Sequence, residues 1–265
     1  MWQAWIQKWR NLRLPLKLLL VYMPLILLPS IAGIYMLTQS SVQSSRDITE
    51  EYAADLLGLM ALKINDRIEE YEQFSKRIMT DESLHELLRA NPRTDFERLR
   101  NQTKISQQLN MMWLGDEENR YVTAIRIAAG DEIYSYGSRL QEDYGVRDAE
   151  YKELLRRESG AAVWTGPMSF EEGGRTVDAF RLGRVIRDAG LRELGTLTLI
   201  VEAQAFSSIF AETEFHDRVR LQLIDGEGRV LIDNGVRFEP GDASLRTQYS
   251  TSIAEGWTLA ATMSM

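Results

Sequence analysis

The chain is 265 residues long with 44% hydrophobic and 26% charged residues, a balance that excludes disorder, collagen-like repeats and a polytopic membrane protein. It has no cysteine, which excludes disulfide frameworks, Cys-based zinc sites and thiol nucleophiles. The net charge of −8 is uneven: residues 1–17 hold four cations (Lys8, Arg10, Arg13, Lys17) and no acid, leaving −12 on a remainder that repels phosphates and excludes nucleic acid as a partner.

In chain order, residues 1–17 read as a cytoplasmic basic leader, with Trp2, Trp5 and Trp9 at helical spacing beside Ile6, an amphipathic segment for the inner membrane interface. Residues 18–38 read as a transmembrane helix. Leu18 to Leu37 carries no charge, the next charge is Arg46, and a helix of that length reaches ~30 Å, the thickness of a bilayer core. Pro24 and Pro29 interrupt it, which lipid-embedded helices tolerate. A cleaved signal peptide is the alternative, with Ser30-Ile31-Ala32 as the cleavage site, but the apolar run continues beyond it through Leu37. The leading cations place the N-terminus in the cytoplasm and everything after Thr38 outside the cell.

Residues 39–114 form the helical part of the exposed region. Leu57, Met60, Ile64, Ile68, Tyr71, Phe74 and Ile78 follow one another by three or four residues and make one apolar stripe. A second helix runs from Asp95 to Trp113 after the turn at Asn91-Pro92. Residues 115–204 change to strand texture at Tyr121–Ala128, Ile133–Tyr136, Ala162–Thr165, Ala179–Ile186 and Gly195–Glu202, with a short helix at Glu150–Arg157. Residues 205–265 begin with a short helix, Ala205–Ala211. A smaller set of strands follows at Val219–Asp225, Arg229–Asp233, Leu245–Ile253 and Trp257–Met263, with a hairpin signal at Asp225-Gly226-Glu227-Gly228. The fold class is α+β.

Catalytic patterns are absent. The two histidines, His85 and His216, have no metal-ligand spacing and read as surface residues. The acidic runs Asp116-Glu117-Glu118 and Glu171-Glu172 lack the alternation of a calcium loop. There is no G-x-S-x-G, G-x-G-x-x-G or phosphate-loop lysine motif, so the chain is expected to be no enzyme and to need no cofactor or metal. What stands out is an aromatic and charged concentration in 115–204. Arg126, Tyr134, Tyr136, Tyr151, Trp164, Asp178 and Arg181 are candidate ligand-binding residues, because aromatic walls with a few fixed charges suit a small molecule. The same residues also suit a sheet core and its rim.

The chain resembles the extracytoplasmic sensor region of YesM-type sensor histidine kinases, a PAS-like double Cache domain of antiparallel sheets. The similarity lies in the Leu16-Lys17-Leu18 start and the Leu28-Pro29 step before Gly33, and in the helix through Leu57–Ile78. It continues in Gly183-Arg184-Val185-Ile186-Arg187-Asp188 with Gly195–Val201, and in Gly256-Trp257-Thr258-Leu259. The resemblance implies a membrane-distal module at 115–204 holding the pocket, a membrane-proximal module at 205–265, a homodimer, and a signal relayed along helices through the membrane. It also implies a parent that continues with a second membrane helix and a kinase core. Amino-acid-binding members carry an Arg three residues before a key Tyr; with Tyr151 as that Tyr, the position holds Asp148, and Arg147 is one residue too early. Asp178 is left as an ammonium partner. A sugar stacked on Trp164 or a Tyr, or a carboxylate held by Arg126 or Arg181, fits as well, and some such receptors read a partner protein. The same module on a chemoreceptor or a membrane-bound AraC-type regulator, and a stand-alone tethered binding protein, are the alternatives.

Overall fold

The computed structural model describes residues 14–90, 92–114, 117–137, 145, 148–172, 174–212, 219–237 and 246–264. Arg147, Tyr144, His216, Asp116 and most of the leader lie outside them. The chain divides into two compact units, Met1–Asp55 and Leu56–Met265.

In the first unit the described backbone is helical from Leu14, the start of α1 (Leu14–Met79). Of the expected span 18–38, side chains are described at 22, 23, 26–31, 33, 35 and 36, and all of these are exposed. Ser30 Oγ donates to the Ile26 carbonyl at 2.8 Å, one turn back and next to Pro29. Among the described residues, no helix is long and apolar enough to cross a membrane.

In the second unit, α1 continues to Met79 and buries the expected stripe: Leu57, Met60, Ile64, Ile68, Tyr71, Phe74 and Ile78 all lie in one core cluster. A short helix, α2 (Glu82–Arg89), follows; the Asp81 carboxylate caps it by accepting the Leu84 N–H at 2.7 Å. His85, expected at the surface, is buried instead, its Nε2 2.7 Å from the Met79 carbonyl at the end of α1. Helix α3 (Asp95–Leu114) opens on a reciprocal cap, in which Thr94 Oγ1 accepts the Glu97 N–H while Glu97 Oε2 accepts the N–H groups of Arg93 and Thr94. These backbone donors hold the Glu97 carboxyl below the usual glutamate range.

The strands are β1 (Val122–Ala129), β2 (Glu132–Gly137), β3 (Val163–Glu172), β4 (Arg175–Arg187) and β5 (Glu193–Glu202), with helix α4 (Ala149–Arg157) between β2 and β3. They form one antiparallel sheet in the order β2-β1-β5-β4-β3. Helix α5 (Gln204–Ala211) leads to a second antiparallel sheet, β7-β6-β9-β8, made of β6 (Val219–Ile224), β7 (Val230–Asp233), β8 (Arg246–Ser252) and β9 (Thr258–Ser264). The predicted hairpin is present between β6 and β7. The Asp225 carboxylate accepts the N–H groups of Glu227 and Arg229, and Gly228 takes φ +83, which an L side chain resists.

Antiparallel partners point to the same side of a sheet, so the register sorts the first sheet into two faces. Ile125, Ile127, Phe180, Leu182, Ile186, Leu197, Leu199 and Val201 face α1 and share its cluster, which continues through Phe206 and Phe210 of α5 into Leu221, Leu223 and Leu259 of the second sheet. Five aromatic rings knit this junction. Trp164 stands edge-on to Tyr71, Phe206 and Trp257 at 6.3, 5.9 and 5.9 Å, and Phe180 packs on Trp257 at 5.4 Å.

Candidate ligand-binding site

The opposite face of the first sheet is built differently. Directly paired residues form a transverse row Ser135–Arg126–Thr198–Gly183–Val163, with Ile200, Arg181 and Thr165 in the neighbouring row. Thr196 joins them one step along β5, opposite Val185. Hydroxyls and guanidinium groups thus stand on part of this face, beside a small apolar cluster of Ala124, Ala128, Phe170, Ala179 and Ile200.

Helix α4 covers part of this face. Tyr151 and Leu155 pack with Val163 and Val185, and they come so close to β4 that a Cβ on Gly183 would lie 2.6 Å from Leu155 Cδ2 and collide with the Tyr151 phenol. The Tyr151 hydroxyl is 3.3 Å from Thr198 Oγ1, and the Arg181 guanidinium lies 4.4 Å over the Tyr151 ring. Burial pushes the Tyr151 phenol up, against the opposing pull of the Thr198 hydrogen bond and the Arg181 charge. Arg181 Nε also donates to Thr165 Oγ1 at 3.1 Å. The β2–α4 connection reaches this corner, since a Cβ on Gly145 would lie 2.9 Å from Arg181 Nη1.

Two features of this face are unusual for plain packing. Arg126 is only 6% exposed, so a guanidinium stands on this face largely out of water. Thr196 Oγ1 is fully buried and has no hydrogen-bond partner among the described residues. The face therefore gathers two guanidinium groups, several hydroxyls and an aromatic ring, a donor set whose chemistry suits an oxygen-rich small molecule.

Of the seven residues singled out in the sequence, the structure brings Arg126, Tyr151 and Arg181 together on this face. Tyr134, Tyr136 and Trp164 point to the other side. Tyr134 is in the α1 cluster, where burial raises its phenol and Asn101 of α3 opposes this by a hydrogen bond. The Tyr136 hydroxyl donates to Asn110 Oδ1, and its ring meets Trp113 edge-on at 5.3 Å. Trp164 Nε1 donates to Glu72 of α1 at 3.1 Å. Asp178 is exposed and accepts from Ser169 Oγ at 2.5 Å, apart from the others. Ser135, Thr165, Thr196 and Thr198 were missed; the signal for two of them was the alternation Thr196-Leu197-Thr198-Leu199, which assigns the threonines to the face away from the core. Among the described residues there is no cluster suited to a metal ion.

No family model matches the sequence, and no curated protein matches it. Solved structures share the fold. The ligand-binding domain of the Campylobacter jejuni chemoreceptor Tlp3, in complex with L-norvaline, has a TM-score of 0.56 at 12% identity, covering 82% of this chain and 91% of that one. The ligand-binding domain of the Pseudomonas aeruginosa amino-acid chemoreceptor PctC, in complex with GABA, gives 0.52 at 14% identity over 81% and 100%. The extracellular domain of a candidate histidine kinase gives 0.58 at 14% identity over 82% and 95%. These are Cache-type ligand-binding sensor domains, and this chain has their fold.

Proposed function

We propose that the chain is the membrane-anchored, extracytoplasmic sensor portion of a two-component histidine kinase, and that it binds a small carboxylate-bearing ligand on the α4 side of the first sheet. The observation that carries this reading is the polar face of Arg126, Arg181, Thr198 and the unpartnered Thr196 hydroxyl, set beneath Tyr151. Carboxylates are what paired guanidinium and hydroxyl donors recognise best. The amino-acid ligands of Tlp3 and PctC support the class. The chain itself carries no catalytic step. In this reading residues 115–204 are the distal module, 205–265 the proximal one, and 39–114 the helical support through which two protomers pair.

Anchoring at residues 18–38 is supported by the uncharged run and by the exposed Tyr22, Met23, Ile26, Leu28, Ile31, Tyr35 and Met36, an apolar surface that suits lipid. The four leading cations favour a cytoplasmic N-terminus. Ligand binding shifts a two-state equilibrium, and the change leaves the site through β4, whose Arg184 holds α1. The same module on a chemoreceptor is the second reading, favoured by the Tlp3 and PctC likeness. A thermal-shift screen of the full chain in detergent against amino acids, dicarboxylates and sugars tests the binding. A carboxylate hit that Arg126→Met and Arg181→Met both abolish is expected, and a hit indifferent to both removes the proposal.

A further inference from the structure

Helix α3 carries apolar side chains on two faces. On the inner face Asn101, Ile105 and Leu109 are buried, the Asn101 amide donates to the Leu87 carbonyl at 3.1 Å, and the Gln108 amide reaches Asp81 at 3.2 Å. The outer face holds Phe96, Leu99, Met111 and Leu114, which are 74%, 63%, 62% and 70% exposed. Thr103 and Gln107 fall between them and are exposed as well. Successive spacings of 3, 4, 4, 4 and 3 residues keep all six on one line, along about 27 Å of helix. Elsewhere among the described residues 56–265, the exposed large apolar side chains are Leu59 and Leu62 of α1 and the single residues Leu154, Leu191 and Val230.

We infer that the outer face of α3 is the seam on which a second copy of this chain docks, the two helices running parallel and in register about a twofold axis. The inference rests on the reading that two protomers pair through residues 39–114, and it names the surface they use. Area supports a second copy. Four side chains of these sizes at these exposures present on the order of 500 Å2 of apolar surface, near the upper end of what a monomer leaves open. A twofold contact removes that area from both copies, about 1,000 Å2 in all, which reaches the floor for a specific interface before its polar rim is counted. In-register pairing also sets apolar against apolar at both ends, while Thr103 and Gln107 meet hydroxyl and amide groups rather than hydrocarbon.

The cations set the direction. Arg100 and Lys104 lie along one edge of the stripe. A parallel twofold pair puts the two basic edges on opposite sides of the seam. An antiparallel pair would bring both edges to the same side, with Lys104 of each copy near the midpoint, and like charges there oppose association.

The chain has no cysteine, so single introduced cysteines report the seam cleanly. Helices packed about 8–10 Å apart bring facing backbones within reach of a disulfide, and positions off the seam lie beyond it. The full chain in detergent is oxidised mildly, and dimer is read on a non-reducing gel. Thr103→Cys and Gln107→Cys are each expected to cross-link at least about fivefold faster than Glu227→Cys, an exposed control on the β6–β7 hairpin. Adding Leu99→Asp and Met111→Asp to Thr103→Cys should bring it to the control rate, with Tm held within about 2 °C because both positions are exposed. Control rates at both Thr103→Cys and Gln107→Cys would overturn the inference, and the stripe would then be covered by lipid or by another protein. A cross-link at Leu59→Cys without one at Thr103→Cys would overturn it too, moving the seam to α1 and leaving the pairing of two protomers in place. A disulfide formed only between Leu99→Cys and Met111→Cys chains would refute the parallel register.

Discussion

Arg184→Met is the sharpest test of how the first sheet holds α1. Arg184 is 8% exposed and lies on the α1 side of β4. Its Nε donates to Ser75 Oγ at 2.7 Å, its Nη1 to the Gly160 carbonyl just beyond α4 at 2.9 Å, and its Nη2 to the Glu72 carbonyl at 3.5 Å with the Glu72 carboxylate at 3.8 Å. One guanidinium therefore ties together the long helix, β4 and the segment that follows the ligand-site helix. Burial lowers its proton affinity and Glu72 opposes that, which is the signature of a pair held out of water. Methionine fills much of the volume but leaves Ser75, the Gly160 carbonyl and Glu72 without their donor. Two short charge-assisted bonds at ~1.5 kcal/mol each, with the longer contacts to the part-exposed Glu72 discounted, give a loss of about 3 kcal/mol. For a unit of this size that is a fall of roughly 6–12 °C in Tm, followed by circular dichroism. Glu72→Gln, which keeps an acceptor for Trp164, should cost less, about 1 kcal/mol. If Arg184→Met melts within about 2 °C of the parent, the guanidinium is not a structural tie and the reasoning fails.

Gly183→Ala should displace Tyr151 and Leu155 from β4, destabilising the unit by about 1–3 kcal/mol in denaturant titration and weakening ligand binding with it; unchanged stability would mean α4 floats free of the sheet. Ile68→Ala empties a fully packed position of the α1 stripe and should cost about 2–5 kcal/mol in the same assay. Glu193 is gripped by Arg156 through two bonds of 3.0 and 2.9 Å, which hold its carboxyl below the usual range. A depressed carboxylate stabilises the fold above its unfolded pKa, about 4.3, and loses that contribution as pH falls through the folded value. Glu193→Gln should therefore flatten the acid limb of the stability curve below about pH 4 and leave its slope at pH 7 alone; an identical acid limb would show the pair to be idle.

Much of the fold was legible because burial is periodic. The α1 stripe has a period of three to four residues, and every predicted stripe residue is in the core. Strand β6 was readable for the same reason, its burial alternating residue by residue, whereas β1 and β5 were readable as short apolar runs buried on both faces. The outer parts of β3 and β4 were not, because Glu171, Arg175 and Thr176 form an exposed two-stranded tip that buries nothing and so leaves no pattern. His85 misled because a polar residue at a helix junction can be buried once a carbonyl accepts from it, and that carbonyl, on Met79, comes from the preceding helix. At the site, sequence gave residue types but not faces. Tyr134 and Tyr136 alternate with Ser135, and only the register with β1 shows that Ser135 shares a side with Arg126 while the tyrosines turn to α3.

The most direct test of the central claim, that a small molecule is read on the α4 side of the first sheet, is hydrogen exchange on the full chain with and without the best carboxylate from the thermal-shift screen. The account predicts slower exchange in α4 and at Thr196 and Thr198 of β5. It also predicts that Thr198→Val removes both the protection and the thermal shift while leaving the unliganded Tm within about 2 °C. Protection confined to other elements, or undiminished binding in Thr198→Val, would contradict it.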